Sequence, residues 1–556
     1  MLTVQKRLTK RSNGIRFSIS DLSPPTSRVL PTLYTSRAGI SLYDAQYSAA
    51  GERIPIPEKT IQAVISEMKQ FKRTCADFGV SDSNITVLAT EATRTAVNSI
   101  DFRQRIKEAT SWDVSMLPKE EEGRVGALGV ATSLGEVKGL VMDLGGGSTQ
   151  LTWLISGHEG KIKMPASGAV SMPFGAAALT RRLGEARKEG HGARDRFAEE
   201  IKSKIKDAYA SLHMPSELED LAARDGGFAL YLSGGGFRGW GFVLMSQHPV
   251  TPYPLPVING FRVRRKEFLD TAAVKTAVAD VDSDDDMIFR VSQRRASQVP
   301  AVAFLVTALS EALPQIKEVR FCQGGVREGY LFSSLPDSIR MQSPVAVSTQ
   351  PLAPPASPHF NALLNAALPA PQSQSPNSQT PQKTITAPIV TAFANMINHF
   401  STHPKDIRAG SALRSTTSGV LASAHGLAHE ERAILALLLC ERWGGAGDLP
   451  PSDLGFYRSM QDLLDPWTVW WIGYLGRVAA LVGEVYPASR GKDMLSLKTR
   501  WDMTGKGNDL LLLGVRLNEE RAKELYADEI KRIEKCGKKK NWIGGKEGYG
   551  HRVEVE

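Results

Sequence analysis

Asp143-Leu144-Gly145-Gly146-Gly147-Ser148-Thr149 is the stretch of this 556-residue chain from which the fold can be argued. An apolar segment precedes it, and residues 151–155 beyond it alternate apolar and polar side chains as a strand does. Three consecutive glycines let backbone N–H groups approach an anion, Ser148 and Thr149 add hydroxyl donors, and Asp143 can hold a hydrated Mg²⁺ ion. Because a plain hairpin turn needs only one or two glycines, the stretch predicts two strands joined by a phosphate-binding turn.

The segments before this turn alternate between helical and strand patterns. Apolar residues recur at intervals of three and four from Pro57 to Phe78, which predicts an amphipathic helix with Cys75 in the core. Residues 85–89 predict a buried strand that runs into a helix at 91–98. Strands and helices continue to alternate up to residue 130, which predicts an α/β layer.

Two more glycine-rich turns follow predicted strands. Gly234-Gly235-Gly236-Phe237-Arg238-Gly239 has the letters of a dinucleotide-binding turn. No acid follows about 20 residues later, as that site requires, and prolines 252, 254 and 256 interrupt the next helix. We therefore favour a backbone turn beside a phosphate cleft here, and a structural role for the third turn, residues 324–329.

The composition changes abruptly near residue 340. A chain of 556 residues suits two to four domains, since single cores stop growing near about 250 to 300 residues. Residues 343–388 are rich in Pro, Ser, Gln and Ala and carry almost no charge, which predicts a flexible linker over 341–388. Residues 389–556 predict a helical C-terminal domain that ends in a basic tail.

Charge, cysteine content and hydropathy limit the classes of function. A net charge of +9 permits polyanionic ligands without choosing among them. The four cysteines have neither the arrangement of a disulfide framework nor the spacing of a zinc site. No apolar run approaches the ~20 residues of a membrane helix, and the basic start lacks the apolar stretch of a secretory signal, so we expect a cytoplasmic protein.

Three patterns imitate metal sites and are rejected. Asp280, Asp282 and Asp284 resemble the start of an EF-hand loop without its glycine, so we expect a solvated acidic loop. His429-Glu430 begins a His-Glu-x-x-His motif without its second histidine. No His-Asp dipeptide occurs between residues 386 and 556, so a second metal-dependent phosphohydrolase site is not predicted.

Two further segments match one known family in chain order. Residues 89–98 have the sequence Ala-Thr-Glu-Ala-Thr-Arg-Thr-Ala-Val-Asn, and residues 121–124 have Glu-Glu-Gly-Arg, where the family has Ala in place of Gly123. With the glycine turn, they make the chain resemble the exopolyphosphatase and guanosine pentaphosphate phosphohydrolase (Ppx/GppA) family. The resemblance implies an α/β, actin-like ATPase (ribonuclease H-like) fold with lobe I over 1–130 and lobe II over 131–340, before the helical C-terminal domain.

The resemblance also implies roles for individual residues. Arg94 would make a bidentate phosphate contact from a helix. Glu122 is the favoured general base for an attacking water, and Glu121 remains an alternative. Asp143 would hold the metal ion. The implied phosphate- or nucleotide-binding residues are Ser12, Asn13, Arg16, Arg94, Gly145, Gly146, Gly147, Ser148, Thr149, Gly234, Gly235 and Gly236.

The chain departs from the family pattern at both phosphate loops. Where the first loop of the family has Asp and Gly, this sequence has Thr9 and Arg11. Residues 2–10 are polar and basic instead of apolar, which predicts that the first sheet loses its first strand unless an upstream segment supplies it. After the second loop, Gln150 replaces an acid, and an amide can neither accept a proton nor neutralise Mg²⁺.

These features lead to two alternative functions. We favour a nucleotide- or phosphate-binding regulatory protein that acts in mitochondria-to-nucleus metabolic signalling, as the resemblance implies for fungal members. The alternative is an active Mg²⁺-dependent phosphohydrolase of polyphosphate or guanosine pentaphosphate. The expected cofactors are Mg²⁺ and ATP or a related phosphate ligand. We expect a regulatory protein partner and no direct nucleic-acid binding, and a homodimer stays open.

Overall fold

The computed structural model describes residues 4–11, 14–48, 51–157, 160–279, 291, 293–370, 381–490, 493–502, 510–518 and 522–556. They belong to two compact units. The first unit is Met1–His248 with Val257–Gln342, and the second is Pro249–Pro256 with Ser343–Glu556.

The first unit contains two sheets in which the strands follow the same spatial order. In the first sheet the order is β3-β2-β1-β4-β5, and in the second the corresponding part is β8-β7-β6-β10-β12. In each sheet the first three strands of this order pair antiparallel. The fourth strand pairs parallel with the third, and the fifth pairs parallel with the fourth. The strands are β1 (Val4–Arg11), β2 (Gly14–Asp21), β3 (Thr32–Ala38), β4 (Ile85–Ala89), β5 (Val114–Met116), β6 (Val137–Leu144), β7 (Thr149–Gly157), β8 (Gly160–Lys163), β9 (Val170–Met172), β10 (Phe228–Gly234), β11 (Arg262–Arg264) and β12 (Ile316–Phe321).

Helices alternate with the later strands of both sheets, from β4 to β6 and from β9 to β12, as the α/β pattern predicted. The predicted amphipathic helix is confirmed over Glu58–Asp77, with Cys75 buried, and the strand over residues 85–89 has the predicted bounds. The helices are α1 (Glu58–Asp77), α2 (Glu91–Arg94), α3 (Ser99–Thr110), α4 (Lys119–Thr132), α5 (Ala176–Glu189), α6 (Ala193–Ser211), α7 (Ser216–Asp225), α8 (Gly235–Ser246), α9 (Arg265–Leu269), α10 (Thr271–Ala279), α11 (Gln293–Ala296), α12 (Val299–Ala312), α13 (Val326–Ser333) and α14 (Asp337–Arg340).

The predicted loss of the first strand is wrong. Strand β1 lies between β2 and β4, antiparallel to the former and parallel to the latter. Sheet pairing uses backbone N–H and C=O groups, which polar and basic residues carry as well as apolar ones do. The departure at Thr9 and Arg11 therefore changes the side chains that this strand carries and leaves its place in the sheet.

Helices α4 and α13 cross with their backbones in contact. A Cβ atom on Gly129 would lie 2.2 Å from the carbonyl oxygen of Gly325, and one on Gly329 would lie 1.8 Å from that of Val125. Side chains at these positions would force the helices apart, so the third glycine turn has the structural role predicted for it. The crossing fixes α4, the helix that carries the Glu-Glu-Gly-Arg segment.

The second unit is built on helices, as predicted, but it begins earlier than predicted. The linker predicted over 341–388 is wrong for its described part, since residues 344–366 form two helices whose Val345, Phe360 and Leu364 are fully buried in the core of the unit. Low charge, taken as the sign of a linker, here accompanies burial. The helices are α15 (Pro344–Thr349), α16 (Ser357–Ala366), α17 (Ala387–Met396), α18 (Arg408–Leu413), α19 (His429–Arg442), α20 (Pro451–Gln461), α21 (Pro466–Val485), α22 (Ala522–Leu525) and α23 (Ala527–Cys536).

The end of the chain, predicted as a basic tail, forms a small sheet. Its order is β13-β14-β15, with strands Leu495–Asp502, Leu510–Leu517 and Arg552–Val555. Leu495, Leu497 and Val553 point into the core of the unit. The alternation of buried and exposed residues along β13 is the pattern of a half-buried strand.

The structure also bears on the membrane and metal predictions. Within the described residues, no helix has both the length and the apolar character needed to cross a bilayer. All four cysteines are buried and none is in a disulfide. The acidic segment 280–284 lies outside the described residues.

Replacing Gly329 with Ala should destabilise the first unit, because the new methyl group would overlap the α4 backbone. Overpacking of this kind typically costs about 1 to 3 kcal/mol. Gly184→Ala is a matched control, since nothing lies within 4 Å of a Cβ built there inside α5, and it should stabilise by about 0.5 to 1 kcal/mol. Denaturant unfolding of both variants checks this, and equal midpoints would contradict the close crossing.

Candidate functional site

The glycine loop, residues 145–148, joins β6 to β7 with its carbonyl groups turned toward helix α5. Backbone N–H groups of residues 175, 176 and 177 donate to the carbonyl oxygens of residues 147, 145 and 146 at 3.1, 2.9 and 3.0 Å. In a trans peptide the C=O and the following N–H point in opposite directions. The N–H groups of residues 146, 147 and 148 therefore point away from these α5 contacts. Those of residues 147 and 148 are successive backbone donors, the kind of group that binds an anion.

The hydroxyl groups beside the loop differ in what they can offer a ligand. Thr149 is buried and donates its single hydroxyl hydrogen to the carbonyl oxygen of Phe174 at 2.8 Å, so it has no second hydrogen for a phosphate. Ser148 Oγ accepts a hydrogen bond from Gln150 Nε2 at 2.9 Å and keeps its own hydrogen. Of the two predicted hydroxyl donors, only Ser148 is arranged to donate to a ligand.

Asp143 lies at the end of β6, where three strands meet. It is directly opposite Gln150 in the β6–β7 pairing, so the two side chains share one face of the sheet. On the other side it is level with Ser233 of β10. A Cβ on Gly234, which has a φ of +100°, would lie 2.4 Å from Asp143 Oδ1, so this glycine keeps space beside the carboxylate.

Arg94, at the end of α2, connects two carboxylates. Its Nη2 lies 2.8 Å from Glu91 Oε2 and 3.1 Å from Glu122 Oε2. Its Nη1 donates to the carbonyl oxygen of Leu117, just before α4 begins. These contacts fix the guanidinium between α2 and α4.

Glu122 is the most perturbed acid of the described site. Burial raises the pKa of its carboxyl from 4.5 to about 7; Arg94 opposes the rise, and the negative charges of Asp143 and Glu91 add to it. The contribution of Asp143 places both acids in one electrostatic environment. A carboxyl with a pKa near neutrality can exchange a proton at physiological pH, which is what a general base requires.

Glu121 has a different environment from its neighbour. Its carboxylate forms a two-point ion pair with Arg124, at 2.7 Å to both Nε and Nη2, and its side chain is 36% exposed. Packing explains why residue 123 is glycine, because a Cβ on Gly123 would lie 2.3 Å from the Cβ of Ala169. The geometry thus favours Glu122 over Glu121 as the acid that faces Asp143.

The remaining predicted residues are less closely associated with this group. Arg16 lies on β2, where its register partners are Thr9 on one side and Arg37 on the other. Ser12 and Asn13 lie outside the described residues. Gly235 and Gly236 begin α8, with Gly236 packed on the Leu144 side chain.

Two residues beside the glycine loop, Tyr43 and Glu91, were not predicted as site residues from the sequence. A Cβ on Gly147 would lie 3.1 Å from the Tyr43 ring and 3.6 Å from Glu91 Cγ, so both side chains border the glycine loop. Tyr43 in turn contacts Tyr47, and the Arg181 guanidinium lies 4.4 Å from the centre of the Tyr47 ring. Glu91 could have been found from its spacing of three before Arg94, whereas no local pattern indicates Tyr43.

The residues present fit a Mg²⁺ ion that is held mostly by a ligand. This ion commonly takes one or two protein carboxylates, with water and phosphate oxygens in its other positions. Asp143 can supply one carboxylate, and Gly234 leaves room beside it. No cluster of three or more His, Cys, Asp or Glu suited to a metal occurs in the described part of the chain.

Two family models match almost the whole chain. Residues 23–338 match the Ppx/GppA phosphatase family and residues 343–556 match the RTG2 C-terminal domain. The chain therefore belongs to the Ppx/GppA phosphatase family. The membership, with the strand order repeated in two sheets, confirms the predicted actin-like α/β fold followed by a helical region.

The chain is similar to named proteins and to a solved structure. The chain is 38% identical to Retrograde regulation protein 2 of Saccharomyces cerevisiae over 495 residues, which cover 87% of this chain and 81% of that protein. It is 43% identical over 68 residues, 12% of this chain and 14% of the relative, to guanosine-5'-triphosphate,3'-diphosphate pyrophosphatase of Photobacterium profundum. A crystal structure of the Aquifex aeolicus Ppx/GppA member covers 60% of this chain and 97% of its own, with 21% identity and a TM-score of 0.44.

Replacing Glu122 with Gln should change how stability depends on pH. The pKa of the Glu122 carboxyl is about 7 in the folded protein and 4.5 ordinarily, so its contribution to the free energy of unfolding is fully present below pH 4.5 and is lost as pH rises through 7. Gln is uncharged and has no such loss. As pH rises from 4.5 to 7, the free energy of unfolding of the variant should therefore increase relative to the wild type by up to about 3 kcal/mol. Unfolding midpoints measured across this pH range test it, with Glu121→Gln as the control, and parallel curves for wild type and Glu122→Gln would contradict the raised pKa.

Proposed function

We propose that this chain is a regulatory protein that binds a nucleotide or polyphosphate at the glycine loop and turns it over slowly or not at all. The successive amides of residues 147 and 148 carry the proposal, because they need no side chain to hold a phosphate. Ser148 adds one hydroxyl donor beside them. Binding therefore survives the changes in side chains that separate this chain from the family pattern.

The residue opposite Asp143 supports binding without fast hydrolysis. Gln150 occupies that position, and its amide nitrogen donates to Ser148. An amide has no negative charge to neutralise a metal ion, and it cannot take a proton from water. Asp143 would then hold Mg²⁺ as the only carboxylate of that strand pair. The ion, when bound, would neutralise phosphate charge.

The relatives support the regulatory part of the proposal. The long match to Retrograde regulation protein 2 favours a role in retrograde, mitochondria-to-nucleus metabolic signalling. We assign contact with a regulatory partner to the region that matches the RTG2 C-terminal domain. Occupancy of the glycine loop would be the signal.

A phosphohydrolase is the second candidate, and Glu122 favours it. A buried carboxyl with a pKa of about 7 is suited to take a proton from an attacking water, and Arg94 beside it can stabilise charge on a phosphoryl group. If this group is the base, phosphate release should rise as pH increases through about 7.

Calorimetric titration of the full chain with ATP, guanosine tetraphosphate and short-chain polyphosphate, with Mg²⁺ present, tests the proposal alongside a phosphate-release assay. Binding with negligible release supports the regulator. Turnover at an ordinary enzyme rate, about 1 to 10³ per second, would replace it with the hydrolase. Absence of binding to all three would exclude both.

Replacing Asp143 with Ala should abolish Mg²⁺-dependent binding and leave the fold intact, because a carboxylate at a strand end serves the ion more than the core. Affinity measured with and without Mg²⁺ checks this. Glu121→Ala is the matched control, since that acid pairs with Arg124 and should not affect the metal dependence. Unchanged affinity of Asp143→Ala with Mg²⁺ would count against the metal assignment.

Replacing Gln150 with Glu should raise phosphate release at least about tenfold, since a lost acid or base typically costs about 10² to 10⁴ in rate. Ligand affinity should change little, because the backbone amides that hold the phosphate stay in place. Gln150→Asn keeps an amide and should give no gain. A rate that does not respond to the restored carboxylate would refute this account of slow turnover.

A further inference from the structure

The second unit contains a polar cavity that the proposed function does not use. It lies among helices α19, α20, α21 and α23 and residues 541–543, and its volume is about 110 Å³. Its lining includes the charged side chains of Glu441, Arg477 and Lys535, with Trp470 on one wall. Glu441 and Arg477 come from different helices, so the fold of the whole unit assembles this group.

Glu441 is buried at the base of the cavity and held by two partners. It is only 7% exposed. Its Oε1 accepts a hydrogen bond from the Tyr457 hydroxyl at 2.5 Å, and its Oε2 lies 3.5 Å from Arg477 Nη1. That longer separation makes a loose ion pair, which leaves Arg477 able to take another anionic partner.

Glycines make the room that this pair occupies. A Cβ on Gly476 would lie 2.3 Å from Glu441 Cβ, and a Cβ on Gly445 would lie 2.4 Å from Glu441 Oε1. A Cβ on Gly473 would lie 2.9 Å from Arg477 Nη1. Gly473 and Gly476 are inside α21, where each glycine costs about 0.5 to 1 kcal/mol relative to alanine.

The site therefore departs from what stability alone would favour. A buried ion pair is often no more stabilising than well-packed apolar residues of similar volume. Here such a pair is combined with glycines inside a helix and with an open cavity. Features that reduce stability and converge on one place are expected at functional sites.

The groups in the cavity indicate the charge of its ligand. Burial raises the pKa of the Cys536 thiol to about 11 and also raises that of the Tyr457 hydroxyl, so both stay protonated. Glu441 is then the only anion among the lining residues, and it already has partners. Arg477, whose side chain is 37% exposed, donates from Nη1 to Gly473 O at 2.6 Å and is also hydrogen-bonded to Cys536. A guanidinium has five N–H donors, more than these two contacts use.

Size limits the ligand further. Pockets for drug-sized molecules usually measure about 300 to 1,000 Å³, so a cavity near 110 Å³ excludes a nucleotide and suits an ion with few heavy atoms. Planar guanidinium donors match the oxygens of a carboxylate or a phosphate, and an ammonium group adds charge at the mouth.

We propose that this cavity is a binding site for a small oxyanion, with Arg477 and Lys535 as its cationic contacts and Glu441 as the buried acid that competes with the ligand for Arg477. The ligand is an inorganic phosphate or a short carboxylate, which share this chemistry. The inference is independent of the glycine loop of the first unit.

Calorimetric titration of the full chain with inorganic phosphate, acetate and malonate tests the site. Lys535→Gln changes an exposed side chain at the cavity mouth and should weaken binding of whichever anion fits by about tenfold. Lys538→Gln, an exposed lysine outside the lining, should leave it unchanged. Because phosphate can also occupy the glycine loop, only the difference between wild type and Lys535→Gln reports on the cavity.

A second variant separates a binding role from a purely structural one. Glu441→Gln removes the negative charge that competes for Arg477 but keeps a hydrogen-bonding group, so it should strengthen anion binding several-fold. A structural network alone would give no such gain. If only phosphate, or only a carboxylate, gives a binding heat, and its affinity changes in both variants, that anion is the ligand. No binding of any of the three anions, or identical affinities in wild type and Lys535→Gln, would overturn the proposal.

Discussion

The direction of three carbonyl groups determines what the glycine loop can bind. Because the N-terminal amides of α5 take the carbonyls of residues 145, 146 and 147, the following amides must face the opposite side. A helix N-terminus usually attracts an anion directly, but here its donors are occupied by the loop. The donors available to an anion are instead the loop amides on the side opposite α5. The phosphate recognition proposed for the first unit follows from that backbone arrangement.

The acids around the loop divide into two groups by their surroundings. Glu121 is 36% exposed beside Arg124, so its charge is neutralised locally and screened. The side chain of Glu122, one residue later, is only 12% exposed and shares Arg94 with Glu91, so its carboxyl gains and loses a proton near neutral pH. Adjacent residues on one helix turn in different directions by about 100°, which is enough to separate a surface ion pair from a candidate base.

Local periodicity predicted those parts of the fold that depend on nearby residues. The helix from 57 to 78 and the strand from 85 to 89 were found because their buried faces recur with a fixed spacing. The segment 343–366 was misjudged because its apolar residues are covered by helices that lie far along the chain, such as α17 and α21. In the candidate site, Arg94, Glu122 and the glycines came from motifs, whereas Tyr43 reaches Gly147 only through packing between distant segments.

The contact between α4 and α13 has a consequence for motion. Where helices meet through side chains, those side chains interlock and must be unpacked before either helix turns. Here backbone rests on backbone at Gly129, and the side chains of Val125 and Val326 are buried together beside the crossing, so α4 and α13 move as one piece. Glu122 lies seven residues before Gly129, about 10 Å along the helix, where a turn of only about 10° would displace its carboxyl by about 2 Å. The crossing resists such a turn, so the carboxyl of Glu122 keeps its position beside Arg94.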